Sequence, residues 1–306
     1  HPIAIRNFLP WAKHQWPGLE HAFIIGKALD FQNFRTTAQQ STLIDSLFFV
    51  PNFSTPGSDL PFTMQGNHLS DPIMAIGRLA VTKPEEIHNY LQKVIQQEQQ
   101  LGQADQTIAG KAWMKRVIHN SGGLSGESAS IRTYTSSMAN TLAGNRFGAD
   151  VHPFYKTSDD PIQLSAYEQL LDLMNDGVAV WTIFGHSSAF AVDFDIGLPE
   201  SYDNFGRYPL MLVMGCFSGI CSAPQQGIGE QFVLAPDRGA IAYIASVNYS
   251  FIDALHDYGQ QFYQRMWETI LAGRVWTGEL INRRKDGSLF AEALTISPVT
   301  DSNGRI

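Results

Sequence analysis

The chain has 306 residues with 21 Lys+Arg against 29 Asp+Glu, a net charge of −8, and is 44% hydrophobic and 16% charged. At roughly 100–200 residues per domain that is one large domain or two, and the composition excludes a disordered, fibrous or disulfide-stapled chain. No basic block is present to follow a phosphate backbone, so nucleic acid is not expected as a partner, and no apolar stretch approaches the ~18 residues that span a bilayer, so no membrane span is expected.

Short apolar runs alternate with helical patterns along the chain, the signature of an α/β fold. Strands are predicted over residues 22–26, 47–51 and 73–77. A surface helix over 84–100 opens with Pro84 and two acids and sets Ile87, Tyr90, Leu91, Val94 and Ile95 on one face. A strand over 116–120 follows, then a helix over 160–175 with Leu164, Tyr167, Leu170, Leu171 and Met174 as its buried stripe and Gly177 as its stop. Strands over 178–184, 210–214 and 240–245 come next, several of them apolar throughout, as parallel strands covered on both faces are. A helix over 251–270 leads into Gly273. The chain starts at His1 without a methionine or an apolar leader, which reads as a mature form or an excised fragment.

The character changes after about Arg265. A strand over 275–282, a polar turn over 283–288 containing Asp286-Gly287 and a second strand over 289–299 make a hairpin. Trp267-Glu268-Thr269-Ile270, Gly273, the run from Trp276 to Ser288, Ile296-Ser297-Pro298-Val299 and the close from Asp301 to Gly304 resemble the second half of a PAS sensor domain. The likeness covers less than half of such a domain and omits the elements that form its ligand cavity, so no working sensor is expected. The domain reading is therefore residues 1–264 for the main body and 265–306 for a partial PAS-like segment.

The chemistry concentrates between 178 and 248, where two consecutive apolar strands each run into a reactive side chain. One continues into Gly185-His186-Ser187 and the other into Gly215-Cys216-Phe217. In a parallel sheet both strand ends lie on one edge, which is where open α/β folds place their sites. A cysteine thiol with a reference pKa of about 8.5 is only partly ionised near neutrality, and a neighbouring imidazole promotes the nucleophilic thiolate and later protonates a leaving amine. Backbone N–H groups of Gly185, Ser187, Gly215 and Cys216 are the candidates for holding an oxyanion. Glu230 either orients the site or caps the start of a helix. Asp193 and Asp195 either line a pocket for a basic side chain or form a solvated turn. Cys221, five residues after Cys216, is either a partner for an oxidised nucleophile or a bystander. The remaining histidines lack the short spacings of a zinc site, and neither a P-loop nor a dinucleotide fingerprint occurs.

Several pieces resemble the gingipain-type cysteine peptidases of the caspase-like clan. These are Phe184-Gly185-His186-Ser187-Ser188, Phe194-Asp195-Ile196-Gly197, Tyr208-Pro209-Leu210, Gly215-Cys216-Phe217-Ser218-Gly219, Gly229-Glu230-Gln231-Phe232 and Arg238-Gly239-Ala240. The likeness extends upstream through Phe23-Ile24-Ile25-Gly26, Val50-Pro51, Gly57-Ser58-Asp59, Ala75-Ile76-Gly77-Arg78-Leu79 and Val117-Ile118-His119-Asn120, so that it covers residues 20–264. It implies a caspase-like α/β/α sandwich with a mainly parallel sheet, His186 as general base and acid, Cys216 as nucleophile, and a peptide or protein substrate. No cofactor is implied and no metal; some members carry calcium, but no ligand set is assignable here. Ser187 departs from the family, whose best-known members carry Gly directly after the histidine. Members are commonly secreted or on bacterial surfaces, whereas a meaningful PAS-like tail would favour the cytoplasm. The competing class is a catalytically silent domain of this fold that serves as a scaffold or binding module.

Overall fold

The computed structural model describes residues 1–37, 41–64, 72–103, 107, 109–144, 148–164, 167–271, 276–283 and 289–296. In chain order its elements are α1 (Pro2–Gln15), β1 (His21–Ile25), α2 (Phe31–Thr37), α3 (Ser41–Leu47), β2 (Ala75–Leu79), α4 (Pro84–Gln103), β3 (Arg116–Ser121), α5 (Ser128–Ala143), β4 (Asp150–Tyr155), α6 (Tyr167–Asp176), β5 (Val180–Phe184), β6 (Leu210–Met214), α7 (Ile228–Leu234), β7 (Ala242–Ala245), α8 (Ile252–Leu271), β8 (Trp276–Arg283) and β9 (Leu289–Ile296). They divide into two compact units, one formed by residues 1–80, 222–224 and 250–306 and the other by 81–221 and 225–249.

In the first unit β1 and β2 pair in parallel, and β8 and β9 form the antiparallel hairpin expected of the tail. The expected turn residues 284–288 and the end of the second tail strand beyond 296 lie outside the described residues. The strand expected over 47–51 does not form, and the reason is a buried arginine. Arg78 forks onto Asp59, with Nε 2.6 Å from Oδ2 and Nη2 2.6 Å from Oδ1, and also donates to the carbonyls of Gly26, Val50 and Pro51 at 2.5, 3.0 and 3.2 Å. Phe49 and Val50 in turn donate to Lys27 O, so the segment's backbone groups are satisfied without a ladder.

The second unit is built on a five-stranded sheet in the order β4-β3-β5-β6-β7, and every pairing is parallel. β5 and β6 sit at its middle and are buried at every position, which explains their unbroken apolar sequences. Their side chains join Ile118, Leu170, Met174, Phe232 and Tyr202 in one core, in which the Trp181 indole donates to Asn120 Oδ1 at 2.7 Å. At about 1.5–3 kcal/mol for each large apolar side chain removed from water, this core fixes the two central strands as the rigid part of the unit.

Three expectations are corrected here. β4 is an additional strand; Pro153 hid it, but β4 is the edge of the sheet and an edge strand tolerates a residue without an N–H. The helix expected from residue 160 starts at Tyr167, because Gln163 instead bridges to Phe194, and Leu164 is 68% exposed rather than part of the stripe. On α4 two of the residues named as its apolar face, Ile87 and Leu91, are exposed, whereas Tyr90, Val94 and Ile95 are half-buried and the polar Lys93 is fully buried beside them. There Lys93 Nζ donates to the carbonyls of Phe232, Val233 and Ala240 at 3.2, 3.0 and 2.8 Å, and Gln97 exchanges two bonds with the Tyr208 backbone. Burial pulls the Lys93 ammonium down to about 7.

Candidate active site

The register between β5 and β6 places Phe184 opposite Met214, and each strand then continues through one glycine into His186 or Cys216. Gly185 N–H donates to Met214 O at 3.1 Å, so that group is spent on joining the strand ends and does not face a substrate. A Cβ on Gly215 would lie 2.1 Å from Ser187 Oγ and 2.7 Å from Gly185 O. Only glycine lets the two turns approach so closely. The added hydroxyl of Ser187 donates to Cys216 O at 2.8 Å, which ties the turn after the histidine to the residue that carries the thiol.

His186 is held from two directions. Its Nε2 lies 2.5 Å from Glu127 Oε1, and with the imidazole side chain 55% exposed and the carboxylate 28% exposed the pair remains open to a substrate. Glu127 stands immediately before α5 and also accepts from Leu124 N–H, so its position is set by the turn that follows β3. The His186 backbone is fixed by Asp193, whose Oδ2 accepts from His186 N–H at 2.7 Å, while Asp193 N–H returns a bond to His186 O at 3.1 Å. The same Oδ2 accepts from Gly123 N–H at 2.7 Å, and Oδ1 lies 3.2 Å from Lys156 Nζ.

Cys216 is held by backbone shape. Phe217 adopts φ 60°, a left-handed conformation that costs a bulky residue on the order of 1–2 kcal/mol and persists only where its surroundings enforce it. Those surroundings are Asn248 O, which accepts from Phe217 N–H at 3.2 Å, and Ser246 O, which accepts from Gly219 N–H at 2.9 Å. The Phe217 ring meets Tyr249 edge to face at 4.5 Å between centroids, leaving Tyr249 75% exposed beside the Cys216 turn. Cys216 and Cys221 are both half-buried and form no disulfide.

The other named residues take structural positions. Glu230 lies in the first turn of α7 and accepts from Gly227 N–H at 2.8 Å, the helix-start arrangement. Ile228 N–H donates to Ala189 O at 2.8 Å, so that helix start is bonded to the loop that follows His186. Asp195 Oδ1 accepts from Gly197 N–H at 3.0 Å and shapes a turn. Asp193 is neither a pocket wall nor solvated: it is 2% exposed and fully engaged. Ser187 N–H has no partner among the described residues, in contrast to Gly185 N–H. Among the described residues no cluster of three His, Cys, Asp or Glu side chains is arranged to hold a metal ion, and no helix is long and apolar enough to cross a membrane. Sequence reasoning missed Glu127 and Lys156. The only signal for Glu127 was an acid soon after the strand-ending pair Gly122-Gly123, and it needed the unforeseen helix α5 behind it to be legible.

Comparison with known proteins gives three findings. Two nitrogen fixation regulatory proteins, from Klebsiella oxytoca and Klebsiella pneumoniae, are 40% and 38% identical over 47 residues, which is 15% of this chain and only 10% of each relative. The crystal structure of the Arg-specific cysteine proteinase gingipain R superposes with a TM-score of 0.67 at 16% identity, covering 90% of this chain and 59% of that one. The complex of Porphyromonas gingivalis RgpB pro- and mature domains gives 0.66 at 16% identity, covering 86% and 58%. The chain thus spans about three-fifths of those structures, and it shares their fold, the caspase-like α/β sandwich expected from the sequence. The sequence model of peptidase family C25 matches residues 1–293, nearly the whole length, and the chain therefore belongs to peptidase family C25, the cysteine peptidase family of the gingipains.

Proposed function

We propose that the chain is an endopeptidase acting on peptide or protein substrates through Cys216 and His186. The Cys216 thiol gives its proton to His186 and the sulfur attacks the scissile carbonyl carbon, forming a tetrahedral oxyanion. His186 then returns the proton to the leaving amine as the C–N bond breaks, which leaves a thioester on Cys216. Water adds to the thioester with His186 taking its proton, and the acid is released with the thiol restored. Because Nε2 is engaged by Glu127, Nδ1 is the nitrogen that exchanges these protons, and Glu127 stabilises the imidazolium formed at each step. The oxyanion is received by the N–H groups of Ser187 and Cys216. What carries the reading is the parallel register that puts Gly185-His186 and Gly215-Cys216 side by side at the C-terminal edge of the two most buried strands.

The reading assigns catalysis to residues 1–264 and treats 265–306 as a partial PAS-like segment without sensor function; removing residues 272–306 is expected to leave the dyad's chemistry in place. The test is a mixed peptide library bearing a thiol-reactive electrophile, with the adduct mapped by mass spectrometry in wild type, Cys216→Ala and His186→Ala. An adduct on Cys216 that requires His186 is the expected result, and the captured peptides name the preferred side chain. No adduct under reducing conditions would replace the peptidase with a silent scaffold.

A further inference from the structure

Asp193 is a buried carboxylate outside the proposed dyad, and it touches both of the turns that build the dyad's basic half. One oxygen accepts two backbone N–H groups at 2.7 Å, from Gly123 in the turn after β3 and from His186 in the turn after β5. The other faces Lys156 Nζ at 3.2 Å, and the side chains of this pair are 1% and 2% exposed. Lys156 follows β4, and Lys156 N–H donates to Ser121 O at 2.9 Å, so the cation is itself pinned to the end of β3. The glycines around Asp193 are there to admit it: a Cβ on Gly122 would lie 2.2 Å from Asp193 Oδ2, and one on Gly185 would lie 2.3 Å from it. Three strand ends thus converge on one anion.

The two turns it joins carry the two partners of the acid–base pair. Gly123 begins the turn that ends in Glu127, and His186 is the residue Glu127 faces at 2.5 Å. Rotamers of a side chain on one loop cannot hold that distance if the loops drift, because loops on separate strands move independently unless something common ties them. Charge-assisted bonds to a buried carboxylate are the strongest such tie available to backbone N–H groups, and a buried carboxylate is stable only when paired, which is the part Lys156 plays.

We propose that Asp193 is a positioning residue that clamps the Gly123 and His186 turns together and so sets the Glu127–His186 distance, with Lys156 as its buried counter-charge. It acts through the pair rather than on substrate. This rests on the peptidase reading for its catalytic consequence, but the clamp itself is a property of the fold.

Two experiments test it. In the first, kinetics on a cleavable peptide are normalised by active-site titration for wild type, Asp193→Ala/Lys156→Met and Asp193→Asn/Lys156→Met; both double variants avoid stranding a lone charge. The alanine variant removes both acceptors and is expected to lose kcat by about 10–100-fold with KM within about threefold, and the asparagine variant, which restores a neutral acceptor without the charge, is expected to recover only part of the loss. Equal kcat in the two variants, or a loss confined to KM or to the titrated fraction, overturns the inference. In the second, amide hydrogen exchange on the wild-type protein is expected to show Gly123 and His186 N–H slow and opening together. Fast exchange at either overturns the clamp whatever the variants do. A wild type that turns over no peptide defeats the peptidase reading and not the clamp, which the exchange data judge alone.

Discussion

The turn that bears His186 and the turn that bears Cys216 leave adjacent strands through the same glycine-then-reactive-residue pattern, yet they are held by opposite means. The histidine turn is fixed by charge: Glu127 on the ring, Asp193 on the backbone and Lys156 behind it. The cysteine turn is fixed by shape: a left-handed Phe217, the backbone acceptors Asn248 and Ser246, and a glycine at 215 with no room for a methyl. The difference fits the proposed chemistry. A base that gains and loses a proton needs a counter-charge that stays in place, whereas a nucleophile needs a fixed direction of attack.

If the comparison holds, substitutions that remove charge cost rate on the histidine side, and substitutions that add volume cost stability on the cysteine side. The largest expected effect is from Glu127→Gln, which keeps the shape and deletes the counter-charge. It is expected to lower kcat by about 10–100-fold with little change in melting temperature. An equal fall in stability would mean that the histidine turn depends on packing after all. Next is Gly215→Ala, whose methyl meets Ser187 Oγ and Gly185 O; overpacking of this kind costs about 1–3 kcal/mol. Adding Ser187→Gly removes one of the two clashing atoms, and the double variant is expected to regain part of that loss in a urea titration. Full additivity would show that Ser187 and Gly215 do not share the space assigned to them.

The effect that is smallest near neutrality, and grows only in acid, lies in β3, the strand paired with β5. Burial lowers the His119 imidazole from 6.5 to about 4, so between those values the unfolded chain binds a proton that the folded chain does not. Stability is therefore expected to fall as the pH drops from about 6.5 to about 4, and the slope of urea-unfolding free energy against pH over that window should be shallower in His119→Gln. An unchanged slope would remove His119 from the account.

The two sides also differed in how well the sequence announced them. β5 and β6 were legible because strands buried on both faces have no choice but unbroken apolar runs, and β6 occupies the expected residues 210–214. Glycine beside a reactive residue at each strand end then marked His186 and Cys216 as the candidates on which the proposal rests. The charged partners were not legible, since Glu127, Lys156 and Asp193 come from three different segments, and only the folded sheet brings their chain positions together. Asp193 looked like any acid in a polar turn, because sequence reports neither burial nor the lysine that makes burial affordable. The absent strand at 47–51 has the same origin: its carbonyls answer to Arg78, some thirty residues on.

The most direct test of the central claim compares the two cysteines of one chain. Alkylation rates of Cys216 and Cys221 by iodoacetamide, followed by peptide mass analysis in wild type and His186→Ala, use Cys221 as an internal reference of similar exposure. Activation by His186 predicts that Cys216 reacts faster than Cys221, by about tenfold or more, and that the advantage disappears in the variant. Equal rates in the wild type, or an advantage that survives the loss of His186, would contradict it.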